Sequence, residues 1–466
     1  MKKLNDLSRY HVADRKSPYF SVGMEKLDRD AFDPDKAYDK VGAIGAAYVR
    51  LQSGWAKTEK QKGVYDFSWL DEQVDNLLQR GVKPWLCLCY GNPVYDENAK
   101  AFYGAVGCPP IYDETAYTAW LAYCDALVCR YGDKIAYYEI WNEPDNVQCW
   151  KRGVNGKEYA DFAIRTAKTV KVANPNAKVI VGAISAYKWI FFLSDAFKAG
   201  LAEYADAVSY HFYTYDEKQI FRAVKTLRAL CNRYNPRLEI IQGETGSQSH
   251  SGGSGAMYWI AADERMQAKH LARRLLTDIL SGVTFTSVFT CVDMNENLDA
   301  KAGEVITKRG YFGLLSADFD SKTGLAVGEY KEKPSYFVLR NLCALIDGKT
   351  KPTELPVIVY APDDPNDANT YDCADNTVLF GGFEKENGAS ALVYWNATDL
   401  TKVRAYESSV SFCIAGRTGE IRLIDPVSGE IFALPEEMIV RTGENVLLSH
   451  IPLKDYPLMI TFGDFI

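Results

Sequence analysis

No apolar run in this chain approaches the length of a membrane-spanning helix, and the two lysines of the opening MKKLNDLSRYHVADRKSPYF have no hydrophobic stretch behind them. Neither a membrane anchor nor an export signal is read there. A basic cluster is also lacking: 53 Lys and Arg stand against 61 Asp and Glu, a net charge of −8, which argues against nucleic acid or an anionic membrane as partner. The 11 cysteines include no CxxC pair and no histidine at ligand spacing, so neither a zinc site nor a disulfide framework is expected. Cys87 and Cys89 share one face of an apparent strand, where two thiols cannot close a normal disulfide. The cysteines are read mostly as reduced, buried packing residues, which with the missing export signal points to the cytoplasm. There is no low-complexity tract, and no repeat beyond the alternation described next.

What is present is a chain of 466 residues, enough for one large domain and a smaller one, with 47% hydrophobic and 24% charged residues. Aromatic residues reach 13%, a share that suits a neutral, sugar-like ligand. Apolar runs and helix punctuation alternate from the start. Strand one is YFSVGME, and its helix opens at Asp33-Pro34 and stops at Gly45. Strand two is AAYVRLQSGW, strand three VKPWLCLCYG, strand four AYYEIWNE, strand five KVIVGAIS, strand six DAVSYHFY, strand seven LEIIQGETG and strand eight TFTSVFTCVDM. A helix follows each, the last being KPSYFVLRNLCALIDG. Eight such units close an α/β fold of the (β/α)8 TIM barrel type. After Gly348 the pattern turns to short alternating runs, TVLFGGF, ASALVYW, SVSFCIAG and EIRLIDP, between Gly, Asn and Asp turns, the signature of a β-sandwich of about a hundred residues. The expected division is residues 1–348 for the barrel and 349–466 for the sandwich, with Pro362 to Asp375 an exposed loop.

In a parallel barrel the reacting groups gather where strands end at the C-terminal face. Two glutamates close otherwise apolar strands there, Glu143 in IWNEP on strand four and Glu244 in IQGETG on strand seven. Strands three steps apart in a ring of eight can bring such side chains together, and glycosidic cleavage with retained configuration needs two carboxyls about 5 to 5.5 Å apart. One protonates the leaving oxygen as the other attacks. The first then activates water. A raised pKa for Glu143 and a low one for Glu244 are expected, because like charges at that spacing disfavour joint ionisation. Glu139, of the same strand parity as Glu143 but deeper, should pair with Arg50 or another buried cation.

On Tyr138-Glu139-Ile140-Trp141-Asn142-Glu143-Pro144-Asp145 together with Gly243-Glu244, the chain resembles the glycoside hydrolases of clan A, most of all family 39. The resemblance covers the barrel, about Ser17 to Gly348, and a trailing β-sandwich is common in that family. It implies Glu143 as acid/base, Glu244 as nucleophile and Asn142 on the sugar 2-hydroxyl. It further implies that Arg50 lies near the nucleophile, and that His211 and Tyr213 form a His-x-Tyr pair whose tyrosine bonds the nucleophile. Trp55, Tyr90, Asn92, Trp150 and Trp259 are candidates for stacking on sugar faces or bonding hydroxyls from the barrel mouth. The Gly- and Ser-rich stretch Ser247 to Ala256 is either a lid or a plain connector. Many relatives end strand eight with a tryptophan under the sugar; here the nearest residues are Phe289, Asp293 and Met294, and Asp293 could bind a hydroxyl instead. The expected activity is a retaining glycoside hydrolase acting on β-linked, terminal sugars, with a carbohydrate substrate and neither metal nor cofactor. A transglycosidase using the same residues and a non-catalytic carbohydrate-binding barrel are the alternatives.

Overall fold

The computed structural model describes residues 1–11, 16–100, 105–185, 188–296, 307–360 and 378–466; the loop expected at Pro362 to Asp375 lies outside them. Eight parallel strands close a barrel: Ser17–Gly23, Ala46–Gln52, Lys83–Leu88, Tyr137–Ile140, Lys178–Ile184, Ala207–Tyr210, Glu239–Thr245 and Thr286–Val288. The (β/α)8 expectation is met, and helices alternate with the strands, from Tyr38–Ile44 to Pro334–Leu345. Several helices start where the sequence offers a capping carboxylate or amide. Asp113 accepts from the amides of Thr115 and Ala116, and Asn155 from those of Lys157 and Glu158, so the helices Glu114–Tyr131 and Gly156–Ala173 begin with their first amides satisfied.

The barrel interior changes character from bottom to top. Trp85, Tyr137, Ile180, Ala207, Ile241 and Phe285, with Tyr48, form an apolar layer toward the N-terminal ends of the strands. One step up the same inward faces carry Ser21, Arg50, Cys87, Glu139, Ser209 and Ser287, all buried. Trp85 Nε1 donates to Ser21 Oγ at 3.0 Å, and the Arg50 guanidinium lies 5.5 Å from a Trp85 ring centroid. The apolar layer thus forms a dry floor beneath a polar one.

Strand eight is shorter than the run Thr284 to Met294 implies. After Val288 the chain leaves the barrel to bond the loops around it: the Cys291 amide donates to Gly23 O at 2.8 Å, and Met294–Asn295 pairs antiparallel with Arg309–Gly310. The apolar residues past Val288 are buried under those loops.

The second unit is a sandwich of two antiparallel sheets. The larger runs in the order Lys2–Asp6, Glu430–Ala433, Ile421–Asp425, Leu458–Phe462, Ser390–Asn396, Val378–Lys385, Thr350–Thr353; the smaller is Val357–Tyr360, Glu407–Ile414, Asn445–Lys454, Ile439–Thr442. The division at residue 348 therefore needs one correction, because the N-terminal strand pairs with Glu430–Ala433 and belongs to the sandwich sheet. A short polar strand with no apolar run carries no sign of which sheet it will join. Along Ser390–Asn396, Leu392 and Tyr394 face the sandwich core while Ala391, Val393 and Trp395 face the barrel, so that strand is buried on both sides. Lys269 pairs with Asp455 at 2.6 Å and Arg273 Nη1 donates to Thr398 O at 2.9 Å across this junction. The cysteines among the described residues are free and most are buried. Among those residues no helix is long and apolar enough to cross a membrane.

Candidate active site

A cleft of about 700 Å³ opens at the C-terminal face of the barrel, and Asn142, Glu143, His211, Tyr213 and Glu244 all line it. Ordinary strand alternation would send Asn142 and Glu143 to opposite sides. Trp141 and Glu143 break it by adopting left-handed backbone conformations, φ 67° and 49°, a strained arrangement of the kind that clusters at functional sites. Opposite them, Gly243 precedes Glu244 because no side chain fits there: a Cβ at 243 would come within 2.7 Å of His211 Nε2 and 3.2 Å of Glu139 Oε1.

Arg50 is the centre of the cluster. Fully buried, it donates to Glu139 Oε2 from Nη2 at 2.6 Å and from Nε at 3.0 Å, to Asn142 Oδ1 at 2.8 Å, to Glu244 Oε2 at 3.2 Å and to Glu25 Oε1 at 3.3 Å. The expected Glu139–Arg50 pair is therefore present, and a Ser209 hydroxyl completes it. Tyr213 OH donates to the other oxygen of Glu244 at 2.6 Å. Glu143 accepts from Asn146 Nδ2 at 3.0 Å on Oε2, while its Oε1 lies 3.3 Å from His211 Nδ1. One oxygen of each glutamate and a His211 ring nitrogen lie within 4.8 Å of one another. That spacing would also admit a divalent ion, but the Arg50 cation 3.2 Å from Glu244 opposes a second positive charge there.

The protonation order differs from the expected one. Burial alone would depress His211, but the carboxylates of Glu139 and Glu143 beside its two ring nitrogens and the charge of Glu244 raise it to about 9. Burial likewise disfavours charge on Glu143, yet the hydrogen bond and charge of that imidazolium outweigh it and hold the carboxyl below its ordinary range. Glu244 is raised instead, by burial first and by the neighbouring Glu143 charge, against the pull of His211 and Arg50. Burial is outweighed at Glu139 by Arg50 and His211, which bring it to about 2. In the free site the proton thus rests on His211, between the two carboxylates.

A charged imidazole between carboxylates also makes stability depend on pH. A His211 pKa of about 9 in the folded chain against an ordinary value of 6.5 means its contribution is fully present below the lower value and lost as pH rises through the higher one. The stability difference between wild type and His211→Asn, from urea unfolding, should therefore be flat up to about pH 6.5 and shrink by roughly 2 to 3 kcal/mol by about pH 9.5. A difference that does not change with pH would show that His211 is neutral in the fold.

Not every candidate reaches the cleft. Trp55 is fully buried, stacked on Tyr95 and Tyr123 with Nε1 donating to Glu59 at 2.6 Å; the short helix Trp55–Thr58 turns its ring back into the core. Asn92 spends its amide on Glu59 O at 2.9 Å and its carbonyl on the Val94 amide, holding a loop. Trp150 packs on Trp141 and Tyr159 and bonds Glu158. Asp293 is buried against Lys333 at 2.7 Å and the Gly313 amide at 2.8 Å. None of these four lines the cleft. Tyr90 does line it, whereas Trp259 projects into solvent beside Tyr258, which lines the mouth. The stretch Ser247 to Ala256 is tied by the Ser249 amide to Tyr311 O at 2.8 Å and by the Ser254 amide to Arg309 O at 2.7 Å, so it forms a built wall. Residues not foreseen as site residues include Glu25, Lys26, Gln52, Cys149 and Glu296. Glu25 carried the same signal as Glu143, a carboxylate ending an apolar strand; Glu296 carried none, since it arrives on the ribbon that replaces the end of strand eight.

Fold and site together define a barrel that presents two close carboxylates, with an arginine, an imidazole and a tyrosine around them, at the C-terminal ends of its strands. Residues 44–233 match the family described as glycosyl hydrolases family 39. A β-xylosidase of Geobacillus stearothermophilus is 30% identical over 166 residues, which is 33% of this chain and 32% of that protein, so the matched stretch spans about a third of this relative. Among solved structures, a family 39 glycoside hydrolase of Bacteroides cellulosilyticus WH2 matches with a TM-score of 0.67 at 16% identity, over 97% of this chain and 82% of that one. A β-xylosidase of Caulobacter crescentus matches at 0.57 and 19%, over 99% and 97%. The chain is thus similar to glycoside hydrolase family 39, in sequence over residues 44–233 and in fold over its length.

Proposed function

We propose that the protein is a retaining glycoside hydrolase in which Glu244 attacks the anomeric carbon and Glu143 serves as acid and then base. The observation that carries this reading is the approach of the two carboxylates to within 4.8 Å, close to the separation of about 5 to 5.5 Å that leaves no room for a water between them. The proton for the leaving oxygen comes from the His211–Glu143 pair: Nδ1–H passes its proton to Oε1, and the Glu143 hydroxyl passes it on as the glycosidic bond breaks. In the second step Glu143 takes a proton from water, which attacks the anomeric carbon and releases Glu244. Tyr213 and Arg50 hold the two oxygens of Glu244, and Asn142, oriented by Arg50 through Oδ1 and by its amide on Cys149 Sγ, has a second amide hydrogen for the sugar 2-hydroxyl.

The substrate is read as a neutral, β-linked sugar removed from a chain end. The Lys26–Glu296 ion pair ties the loop after strand one to the loop after strand eight along one side of the cleft, which supports a pocket over an open groove. The names of the related β-xylosidases make 4-nitrophenyl β-D-xyloside the first substrate to try. Incubation with 2-deoxy-2-fluoro glycosides bearing a good leaving group should leave one fluorosugar attached to the peptide that contains Glu244, seen by mass spectrometry. Labelling of any other side chain, or product of inverted configuration by NMR, would refute the assignment.

A further inference from the structure

Glu25 stands two residues beyond the first barrel strand, lines the cleft, and is 1% exposed. Its Oε1 accepts from Arg50 Nη1 at 3.3 Å and its Oε2 from Thr290 Oγ1 at 3.2 Å. Cleavage by two carboxylates makes no use of a third one beside the nucleophile. Nor does Arg50 need it, being already held twice by Glu139 and once by Glu244. Confining another carboxylate there is costly, because it shares one guanidinium nitrogen with Glu244 and repels it. Burial first, and the charge of Glu244 second, push it up to about 7 against the pull of Arg50. The backbone has nevertheless been shaped to receive it: a Cβ at Gly23 would come within 2.1 Å of Glu25 Oε2, so the carboxylate lies over a position that only glycine leaves open. With one side-chain donor on each oxygen, a carboxylate keeps further lone pairs to offer, and Glu25 borders the cleft. Phe289 lines the same cleft, 5.7 Å from Lys26 Nζ.

We propose that Glu25 is a specificity-determining residue that accepts hydrogen bonds from ring hydroxyls of the sugar bound against Glu244, and that this sugar is uncharged. The inference rests on the hydrolase reading for where the sugar sits. A hydroxyl donates to the open lone pairs of Glu25 and completes its hydrogen bonding. A sugar carboxylate in the same place would meet Glu25 and Glu244 together, and a deoxy sugar would leave a buried acceptor without a donor.

The test separates binding from turnover. Binding of D-xylose, D-glucose, D-galactose and L-arabinose, and of the monodeoxy forms of whichever binds best, is measured by ligand-observed NMR on wild type, Glu25→Ala, Glu25→Gln and Gly23→Ala. Release of nitrophenol from the corresponding 4-nitrophenyl glycosides is followed in parallel. Glu25→Ala should weaken the preferred sugar by roughly 10- to 100-fold, since a site built to bond a hydroxyl rejects partners that cannot make the bond. Gly23→Ala should do the same by displacing the intact carboxylate, and Glu25→Gln, which keeps an acceptor, should restore most of the affinity. One monodeoxy sugar should bind poorly to wild type and no worse to Glu25→Ala. Equal losses for parent and every deoxy sugar, or wild type binding none of these sugars, overturns the proposal. This binding pattern without any nitrophenol release would count against the hydrolase reading alone and leave the role of Glu25 standing.

Discussion

Replacing Glu244 by Gln is expected to lower kcat on an activated aryl glycoside by at least about 10⁴-fold. The substitution preserves size, so the surroundings that hold the carboxylate, Tyr213 at 2.6 Å and Arg50 at 3.2 Å, remain in place and the loss reports chemistry. An amide is too weak a nucleophile to form the ester to the anomeric carbon. It also turns an acceptor toward one donor only and leaves the other facing an N–H. Glu143→Gln should behave differently on the same substrate. Nitrophenolate leaves without protonation, so the first step survives, while the second step lacks its base and the glycosyl-enzyme accumulates as a burst followed by slow release. Sodium azide, which attacks without deprotonation, should then restore turnover and yield a glycosyl azide of retained configuration. A Glu244→Gln variant keeping more than a few per cent of wild-type activity would remove Glu244 from the nucleophile's role, and azide rescue at Glu244 that yields a glycosyl azide of retained configuration, with none at Glu143, would exchange the two assignments.

The placement of the two glutamates at the cleft was legible because it rests on position along strands. Counting strand and helix runs places Glu143 on the fourth strand and Glu244 on the seventh, and parity puts Glu139 beneath Glu143, where it does pair with Arg50. The order of protonation was not legible. It depends on His211 Nδ1 lying 3.3 Å from Glu143 Oε1 and 3.8 Å from Glu244 Oε2, and no spacing in sequence carries a difference of half an ångström. Aromatic residues at strand ends misled for a related reason. A tryptophan gains as much from the core as from a sugar face, and whether Trp55 turns outward depends on the four-residue helix that begins with it. The walls contributed by Lys26 and Glu296 come from two loops meeting across the first and last strands, a closure that a linear reading places at opposite ends of the barrel. The N-terminal strand is the same case in the fold: its partner Glu430–Ala433 is supplied by residues more than four hundred positions away.

The second large effect is expected at Arg50, and it is one of folding as much as of catalysis. Arg50→Met replaces the only cation in contact with Glu139 Oε2 among the described residues, and removes the shared partner of Glu25 and Glu244. Methionine fills much of the volume over Trp85 but leaves buried carboxylates uncompensated. Breaking such a pair from one side costs about 3 to 5 kcal/mol, which urea unfolding at neutral pH should read as a lower midpoint with an unchanged slope. The sign of the pH dependence follows from Glu139, brought to about 2 in wild type against an ordinary value of 4.5. Its stabilisation is present above the higher value and lost as pH falls toward the lower one. Without Arg50 that pKa rises, so the deficit of the variant should be largest near neutrality and shrink on acidification, where protonation relieves the stranded charges. Arg50→Lys should recover part of the stability but little of the geometry, since an ammonium cannot bond Glu139, Asn142 and Glu244 in one plane. Its kcat should fall as Glu244 is held less firmly in the ionised form, and the acidic limb of its pH–rate profile should move upward. The double variant Arg50→Met with Glu139→Gln should be more stable than Arg50→Met alone, because the most deeply buried of the stranded charges is gone. An Arg50→Met variant within about 1 kcal/mol of wild type at neutral pH would mean that the carboxylates around it are already protonated in the fold, and a deficit that grows on acidification would contradict the assignment of this stabilisation to Glu139.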